Sequence, residues 1–153
     1  MKVSVQREDF DAGAEIRALS RDSFVGAVAS FVGVVREVPM MLEHYAGMTE
    51  REIAKIVEQA KSRWKVRDAT VIHRYGELQP ADQIVLVVVA AAHRGDAFAA
   101  CEFIMDYLKT RAPFWKKEHR PEGARWVEAR SSDDQAAERW EVKPGSARRP
   151  AKP

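Results

Sequence analysis

The chain has 153 residues, 46% hydrophobic and 31% charged, an ordinary balance for one globular domain long enough to bury a core. Its formal net charge of +2 is too small to bind nucleic acid or a membrane with the whole surface, so any affinity for anions has to come from local clustering. A single cysteine, Cys101, excludes an internal disulfide framework and a multi-cysteine metal site, and the sequence carries no metal-ligand pattern.

The segment "KVSVQ" (2–6) alternates and predicts an opening strand, and Asp11 to Leu19 predicts a short helix. "FVGAVASFVGVVRE" (24–37) is β-branched and aromatic with interspersed glycines, which predicts strand structure bent or bulged at Gly26 and Gly33. "MMLEHYAG" (40–47) predicts a further strand. Thr49 with Glu52 three residues on has the form of a capping box, and Ile53, Ile56, Val57, Ala60 and Trp64 follow at helical spacing. "DATVIHRYGEL" (68–78) predicts a strand; "QIVLVVVAAAH" (83–93), continuously apolar, predicts a central strand buried on both faces. Gly95 and Asp96 open a second long helix through Arg111, with Phe98, Cys101, Met105 and Leu108 on its inner face. "FWKKEHR" and "ARWVEA" are spaced to pair as a hairpin across "PEG", and Asp133 to Trp140 predicts a short terminal helix.

Residues 141–153, "EVKPGSARRPAKP", have no apolar periodicity and are expected to form a disordered tail after a single domain spanning 1–140. Strands and two long helices interleave without strict βαβ alternation, so the fold class is α+β with a mixed or antiparallel sheet. "MKVSVQREDFDAGAE" has no apolar h-region, and the run Ile84 to Ala92 is too short to span a bilayer. The expectation is a soluble, cytoplasmic protein.

Cations fall at informative places in this layout. His93 and Arg94 stand where the most buried strand gives way to a helix N-terminus, where backbone N–H groups favour an anion. Arg36 ends another apolar strand, Lys109 lies in the last turn of the second long helix, and Lys116 follows across a proline turn. Convergence of these pieces would give one concave anion site, in which a crowded, partly desolvated lysine becomes a usable base or nucleophile. Each piece also has a plain structural reading. A lysine late in a helix stabilises its C-terminus, and "KKE" suits an edge strand that resists aggregation. His93 suits a strand end, His44 and His73 read as structural, Cys101 as a buried core thiol, and Glu77 has nothing to pair with.

Taken in order, "LEHYAGMTE" (42–50), "VIHRYGEL" (71–78), "AAHRGDAFAACEFIMDYLKTRAPFWKKE" (91–118) and "EGARWVEAR" (122–130) resemble the large, catalytic subunit of molybdopterin synthase. The likeness runs from about residue 2 to Trp140 and implies an α/β-hammerhead type of fold. It also implies a sulfurtransferase of molybdenum cofactor biosynthesis, converting cyclic pyranopterin monophosphate to molybdopterin. Sulfur would arrive as a thiocarboxylate on the C-terminal Gly-Gly of a small ubiquitin-like partner, bound at each end of a self-dimer of large subunits. No cofactor, metal, nucleic acid or membrane is implied. By motif, Lys109 of "YLKT" is the essential lysine and Lys116 of "FWKKE" stands beside it as a second catalytic group. Lys117, Glu118, His93, Arg94 and Arg36 are then substrate contacts.

The chain departs from the family pattern where "EVPMM" (37–41) replaces a longer polar loop and where Val34 stands in place of a frequent lysine. The alternatives are a non-catalytic anion or nucleic-acid binding module, with Phe114 and Trp115 stacking on bases, or an inactive family member.

Overall fold

The computed structural model describes residues 1–127 and 131–141. In chain order the elements are β1 (Lys2–Gln6), α1 (Ala12–Ser20), β2 (Ala27–Val34), β3 (Met40–His44), α2 (Met48–Arg63) and β4 (Val66–Arg74). They continue with β5 (Gly76–Leu78), β6 (Gln83–Ala91), α3 (Arg94–Arg111), β7 (Phe114–Arg120), β8 (Gly123–Val127) and α4 (Ser131–Glu138). The expected α+β class holds, with two four-stranded sheets, β1-β4-β6-β2 and β5-β3-β7-β8. The first is mixed, because β1 pairs parallel with β4 while β6 runs antiparallel to both β4 and β2. In the second, every pairing is antiparallel.

The run from Val85 to Ala91 is buried throughout, as its unbroken apolar sequence requires of a strand covered on both faces. On one face α2 and α3 pack over the sheet through Ile53, Ile56, Val57, Phe103, Ile104 and Leu108. On the other, α1 covers Ile72, Leu86 and Val88 with Phe10. Each fully buried side chain of this kind contributes about 1.5–3 kcal/mol. A smaller cluster of Val35, Met40, Leu42 and Leu78 seals the second sheet against Ile84 and Tyr75.

Several expectations are corrected. The capping box is absent: α2 starts after Gly47 at φ 82, without a side-chain cap. Thr49 lies inside the helix and donates its hydroxyl to the Tyr45 carbonyl (2.9 Å), and Glu52 pairs with Lys55. The strand expected over 68–78 is two strands in different sheets, broken where Gly76 takes φ 91. Phe98 points outward, 65% exposed, while Cys101, Met105 and Leu108 are buried as expected. β7, which carries "KKE", lies between β3 and β8 and is no edge strand. The bulge at Gly33 is present, whereas Gly26 precedes its strand. The expected tail lies outside the described residues apart from Glu141.

Candidate functional site

The site grows from the C-terminal end of α3. Because α3 follows β6 and returns across the sheet, its C-terminal end packs on the start of β6, with Leu108 and Val85 in one core cluster. The last turn carries Lys109, which is exposed. Ala112 is extended (φ −72, ψ 130), as a residue before proline must be, and the chain enters β7 at Phe114. There the Phe114 ring stacks on His73, centroids 3.8 Å apart and planes 20° apart. His44 of β3 lies 6.1 Å from Phe114 and 4.3 Å from the Tyr75 ring. One aromatic cluster thus joins the two sheets beneath the lysine.

His73 Nδ1 donates to the Arg74 carbonyl at 2.9 Å, which leaves Nε2 as the unprotonated nitrogen. Burial is the main cause of a His73 pKa lowered to about 4; the hydrogen bond to the carbonyl opposes it, and the charges of Lys109 and His44 add to it. The ring is therefore neutral at neutral pH.

Phe114, Lys116 and Glu118 alternate along one face of β7, opposite His44, Leu42 and Met40 of β3. Glu118 holds Lys116 at 3.3 Å and Arg120 at 2.8 Å. Partial burial pushes the Glu118 carboxyl up, but hydrogen bonds from Arg120 and Lys116 outweigh it and keep it below its ordinary value. Both oxygens thus face cations, Oε1 toward Lys116 and Oε2 toward Arg120. Lys117 points to the opposite face, over the Trp126 ring (5.6 Å). Cys101 is buried, and burial together with the Glu102 charge pushes its thiol up to about 11, so it stays a core thiol.

Arg36 is exposed just beyond β2, at the sheet end where β6 begins and α3 finishes, because Val35 N–H bonds to the Asp82 carbonyl at 2.9 Å. It shares that end of the molecule with Lys109 and Lys116. His93 and Arg94 do not. They stand at the opposite terminus of α3, and fifteen residues of helix from Arg94 to Lys109 span about 22 Å. His93 instead lines a cleft of about 490 Å³ with Lys61, Arg63, Lys65 and Asp96. A second cleft, of about 480 Å³, lies between Glu118, Arg120 and Arg125, and neither is lined by Lys109. Within one chain Arg36, Lys109 and Lys116 lie toward one end of α3, and His93 and Arg94 at the other. Among the described residues no cluster of side chains is arranged to hold a metal ion. No helix there is long and apolar enough to cross a membrane.

Fold and site together define a two-sheet α+β protein with Lys109 at the end of α3 and Lys116 on the strand that follows, β7. The family of the MoaE protein matches residues 5–111. The chain is 58% identical over 148 residues to the molybdopterin synthase catalytic subunit of Ralstonia nicotianae, covering 92% of this chain and 84% of that one. It is 53% identical over 146 residues to the protein of the same name from Escherichia coli, covering 91% and 97%. The solved structure of the molybdopterin biosynthesis MoaE protein from Burkholderia ambifaria superposes with a TM-score of 0.82 at 56% identity, covering 94% of this chain and all of that one. The chain belongs to the MoaE family.

Proposed function

We propose that this chain is the catalytic subunit of a molybdopterin synthase, transferring sulfur from a small partner subunit to cyclic pyranopterin monophosphate. The observation that carries the reading is the placement of Lys109 in the last turn of α3, followed across a proline turn by Lys116 on β7, in a chain of this family. The sulfur arrives as the thiocarboxylate of a ubiquitin-like protein ending in Gly-Gly. Lys109 serves as base or transient nucleophile. Lys116, oriented by Glu118, stabilises the negative charge that develops as sulfur is transferred. Arg36 meets the substrate's anionic groups, a task suited to a guanidinium. Lys117 contributes charge at the rim.

His93 and Arg94 join this site only if a second copy brings them there, since about 22 Å of α3 separates Arg94 from Lys109 within one copy. A self-dimer therefore supplies the second set of cations. The reaction belongs in the cytoplasm, where cysteines such as Cys101 stay reduced.

The test is product formation from purified chain, thiocarboxylated small subunit and pterin substrate. Wild type is expected to make molybdopterin. Lys109→Ala is expected to lose at least about a hundredfold in kcat, the scale of a missing general base, while still binding the small subunit. Absence of product from a folded wild-type complex would overturn the reading.

A further inference from the structure

Glu102, Asp106 and Lys109 follow one another at helical spacing along α3, so two carboxylates line the helix face that ends in the lysine. Asp106 is the nearer, three positions before Lys109. An acid on the N-terminal side of a lysine at this spacing is the favourable order for an ion pair on a helix. Among the described residues, however, Lys109 makes no ion pair. Both carboxylates are taken by the turn after α4. The Arg139 guanidinium reaches Glu102 Oε1 at 2.5 Å and Asp106 Oδ2 at 2.7 Å, and the Trp140 indole N–H donates to the same Asp106 oxygen at 2.7 Å.

Docking of this turn is accounted for without Arg139. The Trp140 ring stands edge-on to Trp64 and Phe103, centroids 5.4 and 5.7 Å apart, and Arg63 donates to the Trp140 carbonyl at 2.6 Å. Arg139 is itself half exposed, and ion pairs of that kind contribute at most about 1 kcal/mol. Its particular effect is on charge. Held 4.8 Å over the Trp140 ring, one guanidinium gathers both carboxylates of the face that leads to the lysine.

We propose that Arg139 and Trp140 are positioning residues for Lys109: by occupying Asp106 they keep its carboxylate from pairing with the lysine, whose amine stays free for the substrate. This rests on the proposed role of Lys109. The turn after α4 thus acts on the site through a residue that touches no substrate, and its own contacts, not those of Lys109, set the availability of the amine.

The test compares variants of the full chain. Arg139→Gln with Trp140→Phe removes the guanidinium and the indole N–H while keeping an aromatic ring against Trp64 and Phe103. Adding Asp106→Asn is the rescue, because an amide forms no ion pair with lysine. The first readout does not depend on turnover: competitive acetylation of Lys109 relative to Lys117, followed by peptide mass spectrometry. Lys109 labelling is expected to slow by about two- to fivefold in the double variant, the range of an exposed ion pair, and to return to the wild-type rate in the triple variant. In Asp106→Asn alone it is expected to stay at the wild-type rate. The second readout is turnover with the small subunit and pterin substrate: kcat falls by the same factor with KM unchanged, and recovers in the triple variant. Equal labelling in wild type and the double variant would overturn the proposal. So would slowing that persists in the triple variant, which would report a loosened helix, or faster labelling in Asp106→Asn alone, which would mean that Asp106 already pairs with Lys109. A loss confined to KM would overturn it too. The expected labelling pattern in a chain whose wild type makes no product would support the positioning and overturn the catalytic reading of Lys109 on its own.

Discussion

A histidine held neutral by burial makes acid stability a direct measure of the site's packing. His73 has an ordinary pKa of 6.5 and is lowered to about 4 in the folded chain, chiefly by burial. The unfolded state therefore takes up a proton between these values and the folded state does not. Stability contributed by the neutral ring is complete above pH 6.5 and is lost as pH falls toward 4. Linkage gives a loss of about 2 kcal/mol by pH 5 and about 3 kcal/mol by pH 4. These are upper figures because His73 is half-buried. The carboxyls of Asp9, Asp22, Asp68 and Glu118, all held below their ordinary values, lose their contributions mainly at lower pH and equally in a variant. The assay is urea unfolding of wild type and His73→Phe at half-unit steps from pH 7 to 4. The wild-type curve is expected to fall more steeply, the two converging by about 2 kcal/mol at pH 5. Parallel curves would mean that His73 takes up its proton at the same pH folded and unfolded, and would refute the account of a desolvated ring.

Two further predictions concern the frame that holds this cluster. Phe103 is fully buried, with ring centroids 5.3 Å from Trp64, 4.6 Å from Tyr107 and 5.7 Å from Trp140. Phe103→Ala is expected to cost about 3–5 kcal/mol in urea unfolding, and a loss under about 1 kcal/mol would show that the cavity closes. At Gly26 an added Cβ would lie 2.3 Å from the Ala92 carbonyl oxygen, whereas at Gly95 nothing lies within 4 Å. Gly26→Ala is expected to destabilise by about 1–3 kcal/mol, while Gly95→Ala, inside α3, is neutral or stabilising by up to about 1 kcal/mol. Equal melting temperatures for the two variants would contradict this contrast.

What the sequence made legible follows the strength of local signals. The buried run of β6 could be read because no other element tolerates seven consecutive buried apolar residues from Val85 so near a Gly-Asp helix start. Phe98 was misplaced because α3 carries alanines and apolar residues around most of its circumference, so the periodicity selects no single face. The break at Gly76 was hidden because both halves of "VIHRYGEL" have strand composition, and only pairing to different neighbours separates them. The lysines were legible as motif residues. His73 was not, since its meaning comes from Phe114, which the chain brings beside it only after crossing β6 and α3. The separation of Arg94 from Lys109 was open to inspection, because the length of one helix fixes it.

The turn after Arg36 bears on how such a site admits its substrate. Val35 and Met40 are buried on either side of it, Glu37 takes φ 71, and Val38 N–H bonds to the Arg36 carbonyl at 2.9 Å. A non-glycine residue in the left-handed region, pinned between two buried anchors, belongs to a short turn with one conformation rather than a hinged lid. The similarity to the Ralstonia nicotianae subunit runs over 148 positions yet covers 92% of 153 residues, so about seven positions have no residue here. A single copy holds the lysines and Arg36 at one end, whereas His93 and Arg94 lie about 22 Å away at the far end of α3.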